Sequence, residues 1–142
     1  MSDKIELKGR CLCGAVTVEA KQASTHVGAC HCGMCRRWGG GPLMAVDCGT
    51  EVVIGGRENV SVFNSSEWAE RGFCNQCGSH LFYRLKESGQ HMMPAGLFED
   101  SSQMVLSHQV FIDNKPEFYS FSNETKDMTE AEIFAMYAPP NS

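Results

Sequence analysis

The amino-acid sequence predicts a mainly β fold with one or two short helices, held together by metal. Three observations carry that expectation. Short runs rich in β-branched residues alternate with polar ones, as half-buried strands require. Glycine-rich breaks at Gly39-Gly40-Gly41 and Gly55-Gly56 separate several of those runs. Seven of the eight cysteines fall into three tight groups: Cys11-Leu12-Cys13, Cys30-His31-Cys32-Gly33-Met34-Cys35 and Cys74-Asn75-Gln76-Cys77. Thiolates spaced by one or two residues can close on a single zinc ion.

In chain order, the first strand signal is Ala15 to Glu19, where Val16, Thr17 and Val18 supply β-branched side chains. A short helical turn is expected near Met34 to Trp38. An apolar run from Leu43 to Val46 within Gly41 to Cys48 reads as the next strand, followed by Glu51 to Ile54, Asn59 to Phe63, Ser79 to Leu85 and Val105 to Ile112. A second helix begins at Thr129, where Thr129 and Glu132 stand as a capping-box pair ahead of Ile133, Met136 and Tyr137 on one face. No internal repeat, long linker or low-complexity tract interrupts the pattern. Cysteine groups early and late in the chain imply that metal staples an amino-terminal hairpin to the middle of the sequence.

The length of 142 residues suits one domain, 1–142, with a core of its own. Hydrophobic residues at 42% and charged residues at 20% argue against global disorder. Met1 to Glu6 carries no secretory signature, and no segment has the apolar length of a membrane span. A reducing, cytoplasmic setting follows as an expectation, in which clustered cysteines are metal ligands rather than disulfides. A net charge of -5 repels phosphate backbones, so nucleic acid is not an expected partner despite the knuckle-like cysteines. Nor is a membrane. The sequence is silent on oligomeric state.

Two partitions of the cysteines compete. One joins Cys32 and Cys35 to Cys74 and Cys77, leaving Cys11, Cys13 and Cys30 without a task. The other joins Cys11 and Cys13 to Cys74 and Cys77, leaving Cys30, Cys32 and Cys35 as a three-thiolate site. Gly14 after Cys13 and Gly78 after Cys77 favour the second. A glycine there permits a positive-φ turn that aims N–H groups at sulfur, whereas Arg36 follows Cys35. A four-thiolate zinc is closed and structural; a three-ligand zinc keeps a place for substrate. A fourth ligand from His31, His80 or His108 would close the second site. Cys48 reads as a buried small apolar residue, and Cys32 with Cys35 also permits a redox role.

Gly9-Arg10-Cys11-Leu12-Cys13-Gly14, then Cys30 to Arg37, Arg71-Gly72-Phe73-Cys74-Asn75-Gln76-Cys77-Gly78-Ser79 and the His108-to-Phe118 stretch together carry a resemblance. They resemble the glutathione-dependent formaldehyde-activating family, related to the domain of centromere protein V. The resemblance implies a tent-like β fold and two zinc ions. One, structural, is implied on Cys11, Cys13, Cys74 and Cys77; the other, of catalytic type, on Cys30, Cys32 and Cys35. It also implies carbon–sulfur lyase chemistry on a thiol–aldehyde adduct such as S-hydroxymethylglutathione. Many relatives place tryptophan where this chain has Phe118. Arg36, Arg37 and Arg71 are the candidate substrate-binding residues, because guanidinium binds the carboxylates of glutathione bidentately. The alternative is a non-enzymatic zinc-binding module that grips a protein partner.

Overall fold

The computed structural model describes residues 4–137. The chain runs β1 (Lys4–Arg10), β2 (Thr17–Ser24), β3 (His26–Cys30), α1 (Gly33–Gly39), β4 (Leu43–Asp47), β5 (Val52–Gly55), β6 (Val60–Phe63) and β7 (Ala69–Cys74). Then follow β8 (His80–Leu85), β9 (His91–Pro94), β10 (Val105–Val110), β11 (Lys126–Met128) and α2 (Glu130–Tyr137). The mainly β prediction holds, as do both helices.

Two sheets form. The small one has the order β1-β2-β5; the large one runs β11-β10-β3-β4-β9-β8-β7-β6. Pairing is antiparallel except where β10 lies parallel to β3 and to β11. Leu7, Val18, Ala20 and Ile54 of the small sheet join Val46, Leu81, Phe82 and Met93 of the large one in a single buried cluster. In β2 the contributors alternate, Val18 and Ala20, the period that one buried face demands, whereas β8 supplies the consecutive Leu81 and Phe82. Burial of a Leu81-sized side chain stabilises by roughly 1.5–3 kcal/mol.

Five strands are absent from the sequence expectation: β1, β3, β7, β9 and β11. Three of them, β1, β3 and β7, lack the alternating β-branched pattern for a visible reason. Lys4–Arg10 is rich in charge, and its buried residues are Leu7 and Gly9. His26–Cys30 is buried on both faces at Val27, Gly28 and Ala29, so it shows no alternation. A Cβ at Gly28 would lie 2.2 Å from His108 Nε2, so a larger residue there must displace that ring. Ala69–Cys74 contains Arg71 and Gly72, both buried.

At the second helix, Glu132 N–H donates to Thr129 Oγ1 at 3.2 Å and Thr129 N–H donates to Glu132 Oε1 at 3.0 Å. That reciprocal pair is the expected capping box. Ile133 is half-buried and Met136 is exposed. The side chain of Tyr137, placed with them by the sequence pattern, lies outside the described residues.

Candidate thiolate metal centres

The first cysteine group sits in the turn after β1, and the third at the end of β7 and the turn beyond it. Antiparallel pairing of β1 with β2, and of β7 with β8, fixes the two turns. Cys11, Cys13, Cys74 and Cys77 come together with all four sulfurs within 4.8 Å of one another. Cys11 and Cys13 sulfurs are 3.7 Å apart, and those of Cys13 and Cys74 are 3.8 Å apart. A disulfide would need roughly 2.05 Å. A zinc–sulfur bond of about 2.3 Å implies a tetrahedron edge of about 3.8 Å. The donor set therefore fits zinc in both chemistry and spacing.

Gly14 and Gly78 adopt φ of 83° and 79°, the left-handed conformation that the turns require. Gly14 N–H donates to Cys11 O, and Gly78 N–H to Cys74 O. Backbone N–H groups of Val16 and Gln76 point at the sulfurs of Cys11 and Cys74, at 3.3 and 3.4 Å. The Ser79 hydroxyl, 3.2 Å from Cys77 Sγ, and the N–H groups around it hold that thiol down to about 5.

Cys30, Cys32 and Cys35 form the second cluster, again within 4.8 Å of one another. Cys30 ends β3, Cys32 caps α1 and Cys35 lies in its first turn. Cys35 N–H donates to Cys32 Sγ at 3.3 Å. Shared protons from Cys30 and Cys35, the Cys35 N–H and the Arg71 charge hold the Cys32 thiol down to about 2 against burial. The Cys30 thiol is pushed far up by the same sharing with Cys32 and Cys35 and by burial. Three sulfurs of one group, held on a strand end and a helix cap, again fit zinc.

Among the described residues, no histidine completes this cluster. His31 is fully buried, and both ring nitrogens are taken. Gln109 Nε2 donates to Thr125 Oγ1 at 2.9 Å, so its Oε1 is free to accept from His31 Nε2–H at 2.7 Å. That leaves His31 Nδ1 to accept the Tyr119 hydroxyl proton at 2.8 Å. Burial lowers the His31 pKa, in keeping with the neutral ring. His80 stacks on Trp38, with ring centroids 3.8 Å apart. His108 pairs with Ser107 Oγ at 2.9 Å, the structural role expected of it.

The three candidate arginines are placed differently. Arg36 Nε donates to the His31 carbonyl at 3.0 Å, fixing the loop that carries the cysteines. Arg37 is exposed on α1. Arg71 is 4% exposed on β7 and directs both terminal nitrogens at Cys35 Sγ, at 3.6 and 3.7 Å.

A cavity of about 770 Å³ lies beside the cluster, lined by Cys35, Trp38, His80, Arg10 and Glu99 among others, and reaching Cys11 of the first group. No spacing rule in the sequence links Arg10, the last residue of β1, to Glu99 beside Phe98. The β-bridge from Gly9 to Phe98 makes that link. Tyr119 was missed for a similar reason, being separated from its partner His31 by 88 positions.

The fold and its cysteines define a β-rich protein with two clusters that could each hold a metal ion. The chain belongs to the family described as glutathione-dependent formaldehyde-activating enzyme, whose pattern matches residues 6–114. It is 35% identical over 129 residues to an uncharacterized lyase of Schizosaccharomyces pombe, covering 90% of this chain and 94% of that one. A crystal structure of a Rhodobacter sphaeroides protein resembles it in fold. The TM-score is 0.56 at 24% identity, with 65% of this chain and 87% of that chain covered.

Proposed function

We propose that the protein is a carbon–sulfur lyase or synthase acting on an adduct between a thiol, glutathione foremost, and a small aldehyde such as formaldehyde. One observation carries this: three cysteine sulfurs converge without a fourth protein donor among the described residues, and one of the three residues, Cys35, lines a cavity large enough for a small molecule. In the synthetic direction the thiol sulfur forms a bond to the carbonyl carbon, and the thiol proton passes to the carbonyl oxygen. The lyase direction reverses both steps.

Cys30, Cys32 and Cys35 would hold a catalytic-type zinc, and Cys11, Cys13, Cys74 and Cys77 a structural one. A zinc ion in the three-cysteine site would supply Lewis acidity and favour the thiolate form of a bound thiol. Arg36 keeps the cysteine loop in place through the His31 carbonyl. Arg37 offers an exposed guanidinium to a substrate carboxylate. Trp38 and His80 wall the cavity, and Arg10 with Glu99 presents a cation and an anion to the zwitterionic ends of a peptide-like thiol. All eight cysteines are unbridged, which suits a reducing cytoplasm. No helix among the described residues is long and apolar enough to cross a membrane.

Exchange NMR of formaldehyde with glutathione tests the reading, run with wild-type protein, with Cys32→Ser and without protein. Faster exchange with wild type alone is the expected outcome; equal rates in all three samples would retire the substrate. A closed second site would favour the interaction-module alternative, and the ring contacts of His31 and His80 speak against closure.

A further inference from the structure

Arg71 carries a full charge into a nearly water-free setting. Its side chain is 4% exposed, and its Nε has no hydrogen-bond partner. Among the described residues, no carboxylate lies within ion-pair distance of it, while the neighbouring Arg84 is paired with Glu70 at 2.7 Å. The guanidinium sits over the rings of Trp38 and Tyr83, 5.0 Å from each centroid. Its terminal nitrogens reach one sulfur only, that of Cys35. A buried charge without a counter-charge is costly enough that structures rarely keep one. The counter-charge here must come from the cysteine cluster. Three thiolates around a divalent ion leave one negative charge, which one guanidinium cancels.

We infer that Arg71 is a positioning residue that neutralises the three-cysteine site, so that the site accepts an anionic thiolate sulfur as its further ligand, rather than a clamp for a substrate carboxylate. The inference rests on the proposed reading of this cluster as a metal site open to a thiol. A four-thiolate zinc alone carries two negative charges; Arg71 halves that burden. The aromatic rings on the guanidinium keep it from swinging out towards solvent. A carboxylate could meet Arg71 only by displacing it from Cys35.

Cobalt-substituted protein tests this, with Arg71→Met and Arg71→Lys beside wild type. Cobalt per chain is counted, metal affinity is measured by chelator competition, and the sulfur-to-cobalt absorption is followed as thiol is added. The thiols are glutathione and 2-mercaptoethanol, which has no carboxylate. Wild type should take two cobalt ions and respond to both thiols. Arg71→Met should keep its circular dichroism and its four-cysteine ion, yet bind the second ion about 10- to 100-fold more weakly, the usual effect of losing a ligand's partner. Its response to both thiols should fall together, and Arg71→Lys should recover part of each loss. Loss of the glutathione response alone would assign Arg71 to carboxylate binding and overturn the inference. So would equal behaviour of the Met and Lys variants, which marks a packing role. If Arg71→Met does not fold, Arg71→Gln takes its place under the same criteria. Wild type binding a single cobalt ion would instead defeat the reading of the three-cysteine site itself.

Discussion

His31 and Arg71 flank the same three sulfurs, and the sequence speaks differently about each. His31 stands between Cys30 and Cys32, where its side chain could have turned towards the sulfurs or away. The structure turns it away, into Gln109 and Tyr119. His31→Phe should therefore lower stability by about 1–3 kcal/mol, the cost of stranding buried polar partners, read as a drop in thermal midpoint. Cys48 is fully buried, and burial pushes its thiol up to about 12. It should resist iodoacetamide in the native protein, and Cys48→Ala should fold; rapid native alkylation would contradict its placement. His91 is buried too, and burial lowers its pKa below 6.5. Its neutral form is favoured by folding, so its stabilising effect is full above about 6.5 and is lost as pH falls through that value towards the folded pKa. The acid limb of a plot of melting temperature against pH should be shallower in His91→Gln. The cysteine spacing was plain in the sequence, as was the paired-glycine clue. The environments of His31, Arg71 and Arg10 were not, because each depends on a partner dozens of residues away: Gln109, Cys35 and Glu99.

At the level of elements, the most legible stretch was the start of Thr17–Ser24, where buried Val18 and Ala20 alternate with more exposed neighbours. Strand β3 was illegible because both its faces are buried, and β7 because Arg71 and Gly72 look like a loop when read alone. The capping box at Thr129 was legible because its signal is wholly local. Thr129→Ala should cost about 1 kcal/mol of helix stability, seen as faster amide exchange in residues 130–137 with little change elsewhere. Leu81, on β8, has no exposed surface. Leu81→Ala should cost about 2–5 kcal/mol, measured by urea unfolding. A loss well below that range would mean the two sheets do not meet there.

For the whole molecule, the two cysteine groupings predict opposite phenotypes. A structural zinc on Cys11, Cys13, Cys74 and Cys77 would tie the turn after β1 to the end of β7 and would contribute on the order of 10–16 kcal/mol. Substituting any of them should give unfolded or insoluble protein. Substituting Cys30, Cys32 or Cys35 should leave the circular dichroism in place and remove one metal ion. Equal collapse in both sets would reject the division of labour.

The parallel union of β3 with β10 brings His26–Cys30 beside Val105–Val110. Most of the chain must be threaded between those two segments before they can meet. Chains dominated by such remote pairings reach the native state slowly, in milliseconds to seconds, because loop closure is disfavoured before any contact rewards it. An ion that gathers Cys11 and Cys74 early shortens the search. Stopped-flow refolding should accordingly quicken when zinc is supplied from the first millisecond rather than after collapse.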